Sequence, residues 1–330
     1  MKRLQVWFAR GFLGLLALFV AWCVTGLAMA QGQWDTPPRG VLIEVDGRKQ
    51  RLVCEGQAQA GQPLVVFESG IYSGAADWGY IQPQVAKKAR TCAYDRAGLG
   101  WSQPAQGPRT PALMARELRQ LLGAAGETGP YVLVGHSMAG LLTRAFIAQF
   151  PEDVTGLVLI DAVDPEAGSF DGAAKWIARF QRLAHLGARV APLGLMKPLS
   201  PFYANKIGLD GAALKEKRRL FGAAHHVGAA AREIDAVAGD IEVARAGDAH
   251  LAKLPVSTIS AGPIVAANKG WKDLQARAAR LSPQGRAINV EAANHTSILG
   301  PRYGQAVIAE IDRVLSLAVG QAPQLVKAAQ

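Results

Sequence analysis

One serine occupies a position where its hydroxyl could act as a nucleophile. Ser137 lies in the segment GHSMAG (residues 135–140), after a short apolar run and at the start of a stretch with helical periodicity. A sharp turn from strand to helix projects such a serine above a sheet, and it requires small flanking residues. Gly135, Ala139 and Gly140 meet this requirement, although Ala139 stands where the usual pattern has glycine. We predict Ser137 as a nucleophile; the alternative is a serine that caps an ordinary helix.

A serine hydroxyl is a poor nucleophile until a base removes its proton, and histidine is the usual base. His295 directly follows the last predicted strand, so its loop would return to the strand ends near Ser137. His136 lies inside the turn and is expected to be a packing or hydrogen-bonding neighbour. The remaining histidines fall in or beside the middle segment, where surface positions are expected: His185, His225, His226 and His250. We therefore predict His295 as the general base.

The elements that would position these side chains alternate between strand and helix. Strands are predicted at residues 41–45, 50–54, 64–67, 91–94, 131–134, 157–160, 256–260 and 287–290. The clearest helices are predicted at residues 111–122, 141–150 and 302–315. Alternation of this kind indicates an α/β fold, a mostly parallel sheet with helices on both faces.

The middle of the chain interrupts this alternation. Residues 165–254 are rich in Ala, Lys and Arg, are helical in pattern and contain no convincing strand. An insertion between two strands of such a sheet would lie above the strand ends, where ligands bind. We predict a helical cap at residues 165–254 and a core formed by residues 31–164 and 255–330.

The first thirty residues have the pattern of a secretory signal. A basic start is followed by an apolar run at residues 11–26 and by the small-x-small sequence Ala28-Met29-Ala30. The apolar run is shorter than the roughly 20 residues of a membrane span. We predict cleavage before Gln31 and a periplasmic or secreted protein; the alternative is an uncleaved anchor at residues 11–26.

Charge and motifs exclude several function classes. The formal net charge is +10, and the mature chain would keep +7, because residues 1–30 hold three basic and no acidic side chains. The basic residues are scattered, without the interleaved aromatics of a nucleic-acid groove. No P-loop or zinc-type cluster is present in the sequence. We expect a small-molecule substrate, no nucleic-acid partner, no cofactor and no metal, with possible membrane association through the N-terminal segment. The scattered basic residues are expected to be solvated helix faces; the alternative is weak attraction to anionic surfaces.

Four motifs together resemble the α/β-hydrolase superfamily. They are FESGI (residues 67–71), YDRAGLGWS (residues 94–102), GHSMAG and Asn294-His295, in this order. The resemblance is closest to small esterase- and haloperoxidase-like members, and it covers residues 40–315 apart from the variable cap. It implies an eight-stranded sheet whose second strand is antiparallel, and a catalytic triad in the chain order serine, acid, histidine.

The resemblance also implies where a developing oxyanion would be bound. One donor would be the backbone N–H of Met138, directly after the nucleophile, and the other the N–H of Ile71, in the loop after the third strand. Ser69 stands where many relatives carry histidine. Asp95 and Arg96 are expected to fix the turn that ends the fourth strand rather than to act in catalysis.

Two carboxylates compete for the role of triad acid. In many relatives this acid follows the seventh strand, but residues 260–272 contain no acidic side chain, and Asp273 lies within a predicted helix. Asp161 directly ends the sixth strand, a position that some relatives use; its alternative role is a turn cap. Asp164 and Glu166 lie further along the chain. We predict Asp161 as the acid, with Asp273 as the alternative.

A disulfide between Cys54 and Cys92 is a further implication. The two cysteines fall in the second and fourth strands, which the resemblance makes neighbours. An exported chain meets an oxidising compartment, and Cys23 would leave with the signal. The alternative is two buried free thiols.

The residue type at position 137 narrows the reaction. Serine excludes the dehalogenase and epoxide-hydrolase branches, whose covalent chemistry uses a carboxylate there. We predict hydrolysis of a carboxylic ester or lactone through an acyl-enzyme on Ser137. The alternatives are a cofactor-free haloperoxidase, perhydrolase or C–C hydrolase with the same triad, and a catalytically silent binding protein of the same fold.

Overall fold

The computed structural model describes residues 2–31, 37–169, 172–239, 241–265 and 268–319. Its centre is an eight-stranded sheet with the order β1-β2-β4-β3-β5-β6-β7-β8. The strands are β1 Val41–Val45, β2 Arg48–Glu55, β3 Leu64–Glu68, β4 Thr91–Tyr94, β5 Tyr131–His136, β6 Val154–Ile160, β7 Val256–Ala261 and β8 Arg286–Val290. β2 is antiparallel to both of its neighbours, and the remaining pairs are parallel. The predicted sheet, including its antiparallel second strand, is therefore confirmed.

The helices cover both faces of the sheet and form a long insertion between β6 and β7 in the chain. They are α1 Lys2–Ala30, α2 Ile81–Val85, α3 Pro111–Ala124, α4 Ala139–Gln149, α5 Ala173–Val190, α6 Ser200–Tyr203, α7 Gly211–Leu220, α8 Ala224–Gly239, α9 Glu242–Gly247, α10 Lys269–Gln275, α11 Arg277–Arg280 and α12 Gly304–Val319. The five helices α5–α9 occupy the segment that the sequence predicts as a cap, and no strand is described there.

The central strands are buried on both faces, as their continuous apolar sequences predict. Every described residue of β3, β5, β6 and β7 is buried. Along β3, Val65 and Phe67 contribute to the core beneath α2 and α12, whereas Val66 contributes to the opposite core beneath α3 and α4. This alternation makes the sheet the middle layer of three and holds the strand ends rigidly.

The first hairpin shows why its two turn residues were informative. Asp46 and Gly47 both adopt positive φ, at 49° and 70°. A two-residue turn with this conformation matches the twist of antiparallel strands, and Asp-Gly is among the sequences that favour it. The turn sets the register in which Val45 pairs with Arg48.

Neighbouring strands β2 and β4 carry the disulfide. Cys54 and Cys92 are register partners, with their Cα atoms 4.1 Å apart, and their sulfur atoms are bonded. The bridge ties the antiparallel β2 to the parallel part of the sheet.

Helix α1 is longer than the apolar run found in the sequence. The 26 residues Gln5–Ala30 are long and apolar enough to cross a membrane, by length and composition, as those of many signal sequences also are. Val6, Trp7 and Phe8 extend the apolar part ahead of Arg10. The expectation of an apolar segment too short to span a bilayer is therefore wrong for the helix as a whole.

Candidate active site

Ser137 is held in a strained turn between β5 and α4. Its φ is 60°, in the left-handed region that non-glycine residues rarely adopt, and its N–H donates to Ile160 O over 3.1 Å. A Cβ atom on Gly140 would lie 2.3 Å from Val163 O, so only glycine fits there. Such strain persists only where the surroundings enforce it, and it points the Ser137 hydroxyl away from the sheet.

His295 connects this serine to a carboxylate. It lies in the loop after β8, with its Nε2 atom 3.0 Å from Ser137 Oγ. Its Nδ1 atom lies 2.6 Å from Asp161 Oδ2. The Asn294 side chain fixes the loop by accepting the N–H groups of Thr296 and Ser297. The structure thus brings together Ser137, His295 and Asp161 in one chain of hydrogen bonds.

Asp161 is fixed by contacts to its second oxygen. This residue follows β6 with φ at 42°, and its Oδ1 atom accepts the N–H of Ala261 and the Gln275 amide, at 3.1 and 2.8 Å. Burial raises the pKa of Asp161, but the hydrogen bonds from His295, Ala261 and Gln275 and the charge interaction with His295 outweigh it. The pKa of Asp161 therefore lies below its usual value. A carboxylate that stays ionised can orient and stabilise a charged imidazole.

The alternative acid, Asp273, lies outside this hydrogen-bond chain. On α10 the buried face carries Lys272 and Gln275, and both reach the neighbourhood of Asp161. Asp273 is exposed on the same helix. The helical offset of one residue from Lys272 turns its side chain away from that face.

His136 lies against His295 rather than in the hydrogen-bond chain. The two ring centroids are 4.6 Å apart, and His136 Nε2 lies 2.8 Å from His295 O. Burial and the charge interaction with His295 lower the pKa of His136 to about 4. A neutral His136 therefore donates its Nε2–H to this carbonyl and supports the backbone of His295.

The predicted oxyanion donors lie on either side of Ser137. Met138 and Ile71 both line the cavity above the serine. A Cβ atom on Gly70 would lie 2.9 Å from Ser137 Cβ, which shows how closely the loop after β3 passes Ser137. Ser69 holds this loop, since its hydroxyl donates to Gly74 O and accepts the indole N–H of Trp78.

Asp95 and Arg96 act on the structure around the site. Asp95 accepts the backbone N–H groups of Ala75 and Trp101 and fixes the turn after β4. Arg96 donates to Ser69 O at 2.6 Å and to Gly70 O at 2.9 Å, so it holds the loop that passes Ser137.

The partners of Arg96 were missed at the level of sequence. Its guanidinium is buried between Glu68 on β3 and Glu233 on α8, at 2.8 and 2.7 Å. Burial raises the pKa of Glu68, although Arg96 and a hydrogen bond from Tyr94 oppose the change. This pair of carboxylates joins the cap to the loop beside Ser137.

His226 forms a second link between the cap and the core, which differs from the surface position expected for it. His226 on α8 is buried, so the surface role expected for it is wrong. Its Nδ1 atom accepts the N–H of Gly100 at 3.1 Å, and its Nε2 atom lies 3.1 Å from Tyr72 O. Burial is the main cause that lowers the pKa of His226 to about 4. No short motif in the sequence indicates this role.

The cavity above Ser137 has a volume of about 830 Å³. Its walls are mostly apolar and come from both core and cap: Ile71, Met138, Leu141, Trp176, Ile177, Phe180 and Trp271. Lys and Arg are absent from the described residues that line it. Asp164 also lines the cavity, but Arg144 and Arg277 bind its carboxylate, each at 2.8 Å. The cavity therefore favours an uncharged, apolar ligand.

Comparison with known proteins identifies the fold family. A family model described as alpha/beta hydrolase fold matches residues 63–239, more than half of the chain. An uncharacterized protein of Schizosaccharomyces pombe is 25% identical over 256 residues, which are 74% of this chain and 46% of that protein. The chain spans less than half the length of this and several other curated relatives.

Solved structures share the fold at low sequence identity. The enol-lactonase from Burkholderia xenovorans LB400 is 18% identical with a TM-score of 0.59, covering 84% of this chain and 100% of the other. A thermophilic esterase from Thermogutta terrifontis is 20% identical with a TM-score of 0.57, covering 83% and 98%. At these identities the likeness supports the fold alone.

Proposed function

Because the chain belongs to the alpha/beta hydrolase fold family, we propose that it is a serine hydrolase that cleaves a carboxylic ester or lactone. The observation that carries this proposal is the hydrogen-bond chain Ser137–His295–Asp161 at the floor of an apolar cavity. Relatives of the same fold include a protein named as an enol-lactonase and one named as an esterase.

In the proposed first step, His295 Nε2 accepts the hydroxyl proton as Ser137 Oγ attacks the substrate carbonyl. Asp161 keeps the Nδ1–H of His295 directed towards itself and stabilises the imidazolium that forms. The N–H groups of Met138 and Ile71 would bind the oxyanion, where preorganised donors contribute most to such reactions.

In the second step, the tetrahedral intermediate collapses and His295 returns the proton to the leaving alcohol. Water then attacks the acyl group on Ser137, with His295 again accepting a proton. A lactone would follow the same course, except that the leaving hydroxyl stays attached to the acyl group, so deacylation releases a single hydroxy acid.

The proposal also includes the cellular location of the protein. The Cys54–Cys92 disulfide fits an oxidising compartment, and the apolar helix α1 fits targeting to or through a membrane. We therefore propose that the catalytic body lies on the exported side of a membrane.

Labelling with a fluorophosphonate tests the nucleophile directly. The purified chain should lose activity on a short p-nitrophenyl ester as the probe attaches to Ser137, located by mass spectrometry of the peptide. Ser137→Ala should lower turnover by on the order of 10⁶, by analogy with other triads. Ser73→Ala is a matched control, because Ser73 lines the same cavity outside the hydrogen-bond chain. A wild-type chain that neither reacts with the probe nor turns over any ester would favour the catalytically silent alternative.

A further inference from the structure

The C-terminal part of helix α1 is seated on the cap. Trp22 Nε1 donates to Leu195 O over 2.9 Å. One turn further along, a Cβ atom on Gly26 would lie 2.1 Å from Gly194 O, so the two backbones are in direct contact. Two small residues and an indole hydrogen bond thus join the apolar helix to the turn that follows α5.

The position of this contact along α1 can be compared with the hydrocarbon thickness of a bilayer. Helix residues advance by about 1.5 Å, so Trp22 lies about 12 Å before Ala30 along the axis. The apolar stretch Gln5–Ala30 is then about 39 Å long, against a hydrocarbon thickness of about 30 Å. If α1 spans a bilayer, the turn at Gly194 lies at or below the level of the headgroups on the side where the helix leaves the membrane.

The cap turn has the composition that this depth requires. Residues 191–196 have the sequence APLGLM, without a charged side chain. Leu193 and Met196 are exposed although they flank the contact with α1.

Helix α5, which leads into this turn, has an exposed face of the interfacial type. Trp176, Leu183 and Leu186 are spaced by two turns and then one turn and are more than half exposed. The charged residues exposed on α5 itself are all basic: Lys175, Arg179, Arg182 and Arg189. The exposed Asp235 of α8 pairs with His185 of α5. The helix contains no Asp or Glu. Trp and Leu beside Lys and Arg is the pattern of helices that lie in an anionic membrane surface.

Further cations lie where α1 ends. Lys215 and Arg218 on α7 are exposed and line a recess together with Met29 and Gln31. Basic side chains at this level can contact lipid phosphates.

We propose that α1 is retained as an anchor, and that the exposed face of α5 and the turn at residues 191–196 lie in the same anionic phospholipid bilayer. Trp176 belongs both to this membrane face and to the lining of the cavity. One wall of the cavity therefore adjoins the proposed membrane face. Resting on the function proposed above, this assigns apolar esters dissolved in the membrane as the substrate class.

Lipid explains this face better than a second copy of the chain. A twofold dimer through α5 would bring its basic side chains against the same residues of the other copy, without carboxylates on the helix to compensate. Anionic headgroups supply the missing charge.

Spin labels on the full chain test the position of α5 in the bilayer. In a Cys23→Ser background, a nitroxide on Leu183→Cys is compared with one on Thr128→Cys. Thr128 is exposed in the turn before β5, at the amino end of this strand, whereas Ser137 follows its carboxyl end. The chain is reconstituted into phosphatidylcholine–phosphatidylglycerol vesicles, and the accessibility of each label to oxygen and to a water-soluble nickel chelate is measured.

The label at position 183 should become accessible to oxygen and protected from nickel, while the label at 128 stays in water. Two aqueous labels would overturn the proposal even if α1 remains inserted. Spin–spin broadening at position 183 that grows with the protein-to-lipid ratio would indicate a dimer instead. Recovery of the exported chain as a soluble protein beginning at Gln31 would also overturn it.

A pair of charge substitutions separates this proposal from the catalytic one. Leu183 and Leu186 do not line the cavity among its described residues, so Leu183→Asp/Leu186→Asp should leave hydrolysis of a water-soluble acetate ester unchanged. Turnover of a long-chain ester embedded in the vesicles should fall at least about tenfold. Thr128→Asp, the matched control, should change neither rate. Equal rates on the embedded ester for wild type, the double variant and Thr128→Asp would overturn the membrane face. Failure of the proposed function would instead appear as a wild-type chain that is inactive on both esters.

Discussion

The two walls of the cavity are built by different physical means. On the side of the sheet, the proposed triad and its loops are held by directional hydrogen bonds, such as those from Ala261 and Gln275 to Asp161. On the side of the cap, the wall is formed by apolar packing, as in the stacked pair Trp176 and Phe180, whose rings are 5.3 Å apart. Hydrogen bonds fix atoms to within fractions of an ångström, whereas apolar contacts tolerate exchange of similar volumes. We infer that reaction type depends on the first wall and substrate size on the second.

The two walls meet at a polar joint, which lies beside apolar contacts such as that of Leu99 with Ala229 and Ala230 of α8. Arg96 binds Glu233 of α8 and the carbonyls beside Ser137, and His226 of α8 binds Gly100 and Tyr72. Movements of the cap can therefore reach the loop after β3, which carries the proposed oxyanion donor Ile71, through these contacts. Substitutions in each region should accordingly differ in kind as well as in size.

The largest effect is expected on the side of the sheet. Asp161→Asn should lower turnover by on the order of 10⁴, because the amide would favour the wrong tautomer of His295. Asp273→Asn should leave turnover close to wild type, since its side chain is exposed on α10. The assay is hydrolysis of a short p-nitrophenyl ester, with folding checked by circular dichroism. The reverse result would assign the acid to Asp273.

A smaller loss is expected at the joint. Arg96→Lys keeps the positive charge but cannot bind Ser69 O, Gly70 O and Glu233 together. We expect kcat to fall by about 10², with KM changed much less, because the loop would no longer hold the oxyanion donors in place.

Arg109→Lys provides the matched control for this substitution. Arg109 is equally buried, but its two described side-chain hydrogen bonds go to Glu117 and not to the loop after β3. Its substitution should lower the free energy of unfolding without changing kcat of the folded fraction. If the two variants have the same kcat, Arg96 does not position the loop.

The joint should also give the protein a characteristic dependence on pH. The pKa of His226 is about 4 in the folded chain, against about 6.5 when unfolded. Between these values the unfolded chain binds more protons, so the free energy of unfolding falls as pH falls. The loss should reach about 2 kcal/mol at pH 5 relative to neutral pH.

Substitution of His226 measures its contribution to this pH dependence of the free energy of unfolding. His226→Gln keeps a donor and an acceptor but does not titrate, so it should lose less stability than wild type between pH 7 and pH 5. His136, with a pKa of about 4, should keep its own contribution in this variant. Urea unfolding curves at the two pH values measure the difference. An unchanged slope would show that His226 is not held neutral at the joint.

Parts of the fold that are coded locally could be predicted from the sequence. The apolar runs located all eight strands, and Asp46-Gly47 located the first hairpin. The beginning of β6 could not be located, because Gly156 interrupts its apolar run. In the fold a Cβ atom at this position would lie 2.5 Å from Val314 Cγ1, so the packing of α12 requires the glycine. That requirement comes from residues far away in the chain.

The same distinction applies to the candidate site. The positions of Ser137, His295 and Asp161 follow from strand ends, and the structure brings the three together. Their catalytic roles remain predictions for the experiments above. The contact between Arg96 and Glu233 joins residues 137 positions apart and leaves no local pattern. The buried His226 was missed for the same reason, since a helical insertion does not reveal which of its faces meets the core.

The smallest effect is expected on the side of the cap, where it should depend on the substrate. Trp176→Ala removes part of the apolar cavity wall, which a long acyl chain on Ser137 is expected to contact and an acetyl group, with its single methyl, is not. Each buried methylene group contributes about 0.8 kcal/mol. If two methylene groups of an octanoate ester lose their contact with the wall, kcat/KM for this ester should fall about tenfold. The acetate ester should be unaffected. Leu183→Ala, on the same helix but outside the lining, should change neither value. An equal loss on both esters would mean that Trp176 supports the proposed triad instead. Reaction type and substrate size would then not depend on separate walls of the cavity.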